Sequence, residues 1–289
     1  MNLKLKGVLF ALLLMPIAAG FAEASKGKLK TYLLLGQSNM AGWGDYSSLD
    51  SEWTKSLEES DRIHFCGKET RWEVSGLSPS RRAVEKPYKV NGTFGPEYSF
   101  IDSVSQAYSE EELLFFKYAV GGTTLYAAWE KEWTREKAEQ VKETREIKHR
   151  LYALMLEKIE ALEVFAQQKG YQGVDIQAVA WVQGESDAGR EFSAQAYKKN
   201  LKKFIGNLRR DLPDSEFKFV YLQVNNMKSR FIEEVRRSQE ELAVEMDNVF
   251  VIPSSTVEQP DDFPKYDQVH YNSEGVLNIG KSLAVHVLK

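Results

Sequence analysis

Five short apolar runs punctuate the chain, and each stops on a turn residue. Residues 30–35 end at Gly36, 113–120 at Gly121, 175–183 at Gly184, 217–224 at Asn225 and 249–252 at Pro253. Runs this short, closed by glycine, asparagine or proline, read as strands buried in a sheet. Between them lie stretches of helical spacing: a turn at 93–97 running into a helix to about 108, then 130–169, 192–212, 231–246 and 273–288. In the second of these, Leu151, Leu154, Met155, Ile159 and Leu162 carry the apolar stripe of a helix docked on a sheet. Its first half is so charged that it is expected to be solvated. Strands alternating with helices predict an α/β protein, a three-layer α/β/α sandwich with a central parallel sheet.

The amino terminus stands apart. Lys4 and Lys6 precede an apolar stretch over 7–19, and Ala22-Glu23-Ala24 is an A-x-A cleavage site. This pattern predicts a signal peptide, residues 1–24, removed after Ala24, with the product secreted or periplasmic. The stretch is too short for a comfortable span, so no stable membrane insertion is expected after cleavage. The rest, 25–289, reads as one domain, and its 43% hydrophobic residues are enough for a large core. Cys66 is the single cysteine, so no intramolecular disulfide can hold the fold. A net charge of -4 without a basic stripe argues against a nucleic-acid partner.

Parallel strands point one way, so the residues after each strand converge on one rim, where open α/β sheets bind ligands. Ser38, Gly121-Gly122, residues 183–187 and the loop carrying Asp267 and His270 all fall there. A serine hydroxyl needs an adjacent base. Of the four histidines, His64 reads as loop, His149 lies in a charged helix and His286 in the last turn of the final helix. His270 alone sits in a polar loop after a strand, three residues beyond Asp267, whose carboxylate can hold one imidazole nitrogen. Ser38 is thus the candidate nucleophile, His270 its base and Asp267 the orienting acid. The candidate oxyanion donors are the N–H of Ser38, the N–H of Gly122 and the side-chain amide of Gln183. The histidines are too scattered for a ligand set, so neither a metal nor another cofactor is expected.

Residues 41–91 are polar and irregular, the kind of long stretch that carries function. Its Trp43, Trp53, Trp72 and Tyr88 either line a sugar subsite or cap the sheet as a small core. Arg81, Arg82 and Arg190 would favour an acidic sugar if they lay near the serine.

Five blocks occur in order: Gly36-Gln37-Ser38-Asn39-Met40, Phe94-Gly95-Pro96-Glu97, Gly121-Gly122-Thr123, Trp181-Val182-Gln183-Gly184-Glu185-Ser186-Asp187 and Asp267-Gln268-Val269-His270. Together they resemble the sialate O-acetylesterase / carbohydrate esterase family 6 group of the SGNH hydrolases, over nearly the whole mature chain. The resemblance implies an SGNH, flavodoxin-like fold and the same roles for Ser38, His270, Asp267, Gly122 and Gln183, with Gly121 as the alternative to Gly122. It also implies bracing of the serine turn by Gln37 and Asn39, and a loop-holding Glu97. Glu185 is either a second partner for the histidine or a buried carboxylate organising the loops. The expected activity is removal of O-acetyl groups from a carbohydrate, either an acetylated polysaccharide or O-acetyl sialic acid, through an acetyl-enzyme. The rival is a non-catalytic glycan-binding protein on the same scaffold.

Overall fold

A computed structural model describes residues 26–84, 90–225, 229–254 and 263–289, leaving out the side chains of 81–91. The expected leader over 1–24, Tyr88 and the side chains of Arg81 and Arg82 lie outside the described residues. The strands are β1 (Leu29–Gly36), β2 (Gly44–Asp45), β3 (Ile63–Gly67), β4 (Ser80–Val84), β5 (Val90–Phe94), β6 (Leu113–Ala119), β7 (Val174–Val182), β8 (Lys218–Leu222) and β9 (Val249–Ile252). The helices are α1 (Ser38–Ala41), α2 (Ser51–Glu58), α3 (Glu97–Ala107), α4 (Arg135–Gln140), α5 (Leu151–Gln168), α6 (Glu191–Asp211), α7 (Ile232–Glu245) and α8 (Ser273–Leu288).

Six strands form the central sheet in the order β3-β6-β1-β7-β8-β9, and all neighbours run parallel. From β1 the chain runs on one side to the edge strand β3 and returns inward to β6. It then crosses to β7, β8 and β9 on the other, which puts the topological switch beside β1. Side chains alternate across β1. Leu33 and Leu35 join the core formed with α5, α6 and α7, whereas Tyr32 and Leu34 join the core formed with α2, α3 and α8. Both faces are therefore covered, giving the expected α/β/α sandwich.

Register decides where the rim residues emerge. Gly36 lies opposite Ala119 of β6 and Val182 of β7, so three neighbouring strands end level. The segments that follow them leave the sheet side by side.

Two sequence expectations are corrected. The 41–91 stretch is not irregular throughout: it supplies the edge strand β3 and strands of a small antiparallel sheet, β2-β5-β4. These strands are too short, and too mixed in polarity, to show a period. The 130–169 stretch is not one helix. It breaks into α4, a 3-10 turn (Glu146–Lys148) and α5, with Lys142 and Arg150 in the left-handed backbone region. Its charged half is not wholly solvated either, because Glu143 is buried.

Candidate active site

The serine turn is dictated by Gly36. Its φ is +152°, and a Cβ there would lie 2.2 Å from the carbonyl oxygen of Val182. Only glycine lets β1 run this close to β7 and still turn. Gln37 N–H donates to Val182 O at 3.1 Å, and Ser38 then opens α1. The N–H of a first helical residue has no partner within its helix and stays available to a ligand. Ser38 is 8% exposed and lines a cavity of about 760 Å³, shared with His270, Gly121, Gly122 and Glu185.

The histidine arrives on the loop before α8. Asp267 Oδ1 accepts the N–H groups of Val269 and His270 at 2.6 and 2.7 Å, closing the loop on itself. Asp267 Oδ2 lies 3.1 Å from His270 Nδ1. The loop is tied to the serine turn by Asn39, the residue after Ser38. Its Nδ2 donates to Val269 O at 3.1 Å, and its Oδ1 accepts from Tyr271 N–H at 3.4 Å. One buried amide thus holds both neighbours of the histidine. The Trp43 ring lies 4.5 Å from the imidazole.

Glu185 takes the second hydrogen of the Asn39 amide, at 2.5 Å. Burial pushes its carboxyl above the ordinary range, against the pull of the Asn39 hydrogen bond. Of the two acids considered for the histidine, Asp267 is the one with an oxygen at Nδ1. Glu185 braces the serine and histidine loops through Asn39.

The structure separates the expected anion donors. A Cβ on Gly121 would lie 3.6 Å from that of Ser38, so this glycine is packed directly against the serine. Gly122 follows at φ +67° and also lines the cavity. Gln183 does not reach the cavity wall: it is buried, and its Nε2 donates to Thr123 O at 3.0 Å and Asp187 Oδ2 at 2.6 Å. Both amide hydrogens are committed, so in this arrangement Gln183 braces the glycine turn and offers nothing to an oxyanion.

Glu97 acts at the rim. Its carboxylate accepts from Gly95 N–H at 2.9 Å and lies 2.8 Å from the buried Lys117 ammonium. Burial raises the Glu97 carboxyl even beside this cation. Lys117 also donates to Ala41 O at 3.0 Å and faces Glu69 at 3.4 Å, and the two carboxylates hold it protonated against burial. The ion cluster therefore fixes the end of α1. Its signal in the sequence is the lone charge of Lys117 inside the apolar 113–120 run, which a reading for strands passes over.

The cavity wall differs from expectation. Trp43 and Trp72 line it, whereas Trp53 packs on Tyr98 in the core. Arg190 lies outside the lining and donates to Val141 O at 2.8 Å. The cations on the wall are Lys68, Lys117, Arg145, Lys148 and Lys158. Lys158 sits 4.3 Å over the Trp72 ring. The positions of Arg145, Lys148 and Lys158 depend on the breaks in the 130–169 stretch, which periodicity does not reveal. Cys66 is buried in the core, and burial raises its thiol to about 11, far from reactive. Among the described residues, no group of three or more His, Cys, Asp or Glu side chains could hold a metal ion.

The chain is similar to known proteins over most of its length. A probable carbohydrate esterase of Arabidopsis thaliana is 27% identical over 263 residues, covering 88% of each chain. The crystal structure of an Arabidopsis thaliana protein superposes with a TM-score of 0.66 at 22% identity, over 90% of this chain and 98% of that one. NanS gives a TM-score of 0.63 at 12% identity, over 91% and 98%. A carbohydrate acetylesterase from Xanthomonas citri gives 0.58 at 16%, over 89% and 55%. At these identities the solved structures show a shared fold. The family described as carbohydrate esterase, sialic acid-specific acetylesterase matches residues 28–289, and the chain belongs to that family of carbohydrate esterases.

Proposed function

We propose that the protein removes acetyl groups from a carbohydrate through an acetyl-enzyme on Ser38. The observation that carries this reading is the imidazole of His270, held by Asp267 at Nδ1 and tethered through Asn39 to the serine turn, beside one cavity. With its proton on Nδ1 donated to Asp267, His270 keeps Nε2 as the base. It takes the proton of Ser38 Oγ as that oxygen attacks the acetyl carbonyl, and Asp267 stabilises the imidazolium that forms. The carbonyl oxygen turns towards the N–H groups of Ser38 and the Gly121-Gly122 turn. Collapse breaks the ester bond, His270 returns the proton to the departing sugar hydroxyl, and water then releases acetate by the same steps in reverse order.

The charge of the cavity wall supports one class of sugar over the other. Arg145, Lys148, Lys158 and Lys68 put positive charge on the same wall as the half-buried rings of Trp43 and Trp72, which suits an acetylated sugar bearing a carboxylate, such as O-acetyl sialic acid, better than neutral acetylated xylan. The basic and then apolar pattern of residues 1–24 supports export after cleavage at Ala24. No helix among the described residues is long and apolar enough to cross a membrane.

Turnover of p-nitrophenyl acetate tests the chemistry. Ser38→Ala is expected to abolish release of p-nitrophenol while leaving the circular-dichroism spectrum and unfolding midpoint unchanged. A variant that folds and keeps near-full turnover excludes the serine mechanism. A wild-type protein that binds glycans without turnover belongs to the glycan-binding alternative.

A further inference from the structure

A turn made of two glycines is loose, yet an oxyanion is stabilised only by donors already in place. What fixes the Gly121-Gly122 turn lies just downstream. Four of the next N–H groups are held by two buried carboxylates. Glu143 accepts from Thr124 N–H at 2.6 Å and Ala128 N–H at 3.1 Å. Asp187 accepts from Leu125 N–H at 2.8 Å and Tyr126 N–H at 3.2 Å. Its oxygens also take Ser193 Oγ–H at 2.7 Å and the Gln183 amide at 2.6 Å.

Glu143 is 2% exposed and Asp187 0%. Burying a carboxylate is costly even when it is hydrogen-bonded. Here burial lifts Glu143 to about 7 and Asp187 to about 6, although N–H donors pull both down. Backbone carbonyls would close an ordinary loop without that cost. Each carboxyl group presents two acceptor oxygens and so holds two N–H groups of the segment at once, which suits a segment that must not move. The same region grips the turn from its other side, where Lys148 Nζ donates to Gly122 O at 2.7 Å.

We propose that Glu143 and Asp187 are positioning residues that preset the Gly121 and Gly122 N–H groups for the transition-state oxyanion, with Lys148 as the outer clasp. The proposal rests on the acetyl-ester chemistry at Ser38. Neither acid touches the substrate. Each acts through the backbone it holds.

The test compares wild type, Glu143→Gln and Lys148→Met for kcat and KM on p-nitrophenyl acetate and for inhibition by phenylboronic acid. The boronic acid forms a tetrahedral adduct with the serine and places an oxygen where the oxyanion sits. Poorer folding alone lowers the active fraction and leaves KM and the inhibition constant unmoved. Glu143→Gln is expected to lower kcat roughly 10- to 100-fold, with KM nearly constant and boronate binding weakened in parallel, as for partial loss of an oxyanion donor. Lys148→Met, a change at the cavity wall outside the core, is expected to weaken boronate binding several-fold at high salt, where loss of the lysine charge itself is screened. An inhibition constant unchanged in Lys148→Met and in any folded Glu143→Gln overturns the proposal. Failure of the underlying chemistry looks different: Ser38→Ala would stay active and the wild type would ignore the boronate.

Discussion

Replacing Asp267 by asparagine separates the two acids near the histidine. The introduced amide would keep one oxygen for the Val269 and His270 N–H groups, now accepted at 2.6 and 2.7 Å, so the loop should hold its shape. The other oxygen would become an NH₂ facing His270 Nδ1, which forces the imidazole proton onto Nε2 and removes the base. In a fully buried triad, this change costs roughly 10⁴ in kcat. Here the side chains of Asp267 and His270 are 34% and 22% exposed, so water competes for both. That screening scales the expected loss down to about 10²–10³, or ~3–4 kcal/mol of transition-state stabilisation. The assay is kcat and KM for p-nitrophenyl acetate, with thermal unfolding as a control. Glu185→Gln, measured alongside, retains an acceptor for Asn39 and should lose less than about tenfold. A loss under tenfold in Asp267→Asn, with a larger one in Glu185→Gln, would transfer the orienting role to Glu185.

Three further outcomes follow from the same geometry. Lys117→Met leaves Glu69 and Glu97 without their buried cation and should destabilise the fold by about 3–5 kcal/mol in urea titration; a loss below about 1 kcal/mol would show that the ion cluster does not hold the rim. Glu143 has a folded pKa of about 7, above the usual 4.5, so its contribution to stability is complete below pH 4.5 and is lost as pH rises through 7, on the order of 3 kcal/mol. Glu143→Gln should flatten that stretch of the stability profile, and an unchanged slope would refute the assignment. Arg145→Ala should raise KM about two- to fivefold for an acidic acetylated sugar at low salt and leave that for a neutral acetyl ester unchanged, as expected of one exposed ion pair. Equal effects on both substrates would remove Arg145 from substrate recognition.

The sheet and the central chemistry are legible in the order of residues. Apolar runs that stop on glycine report strands buried on both faces, because burial demands uniform side chains and the exit demands a free backbone. The same logic places Ser38, the Gly121-Gly122 turn and the Asp267–His270 loop at one rim. The rest is settled only once the chain has folded. Gln183 carries the right amide, yet two acceptors around it consume both hydrogens. Glu143 lies in a run whose charges promise a solvated face, but the fold turns this one carboxylate inward onto backbone N–H groups. Three cations of the cavity wall, Arg145, Lys148 and Lys158, come from segments that periodicity joins into one helix, while Arg190 is drawn away to a backbone carbonyl. A hydrogen bond depends on where its partner lies in space. Asp267 finds His270 only 3 residues along the chain, whereas Asn39 and Val269 stand 230 apart, and no local pattern records that longer reach.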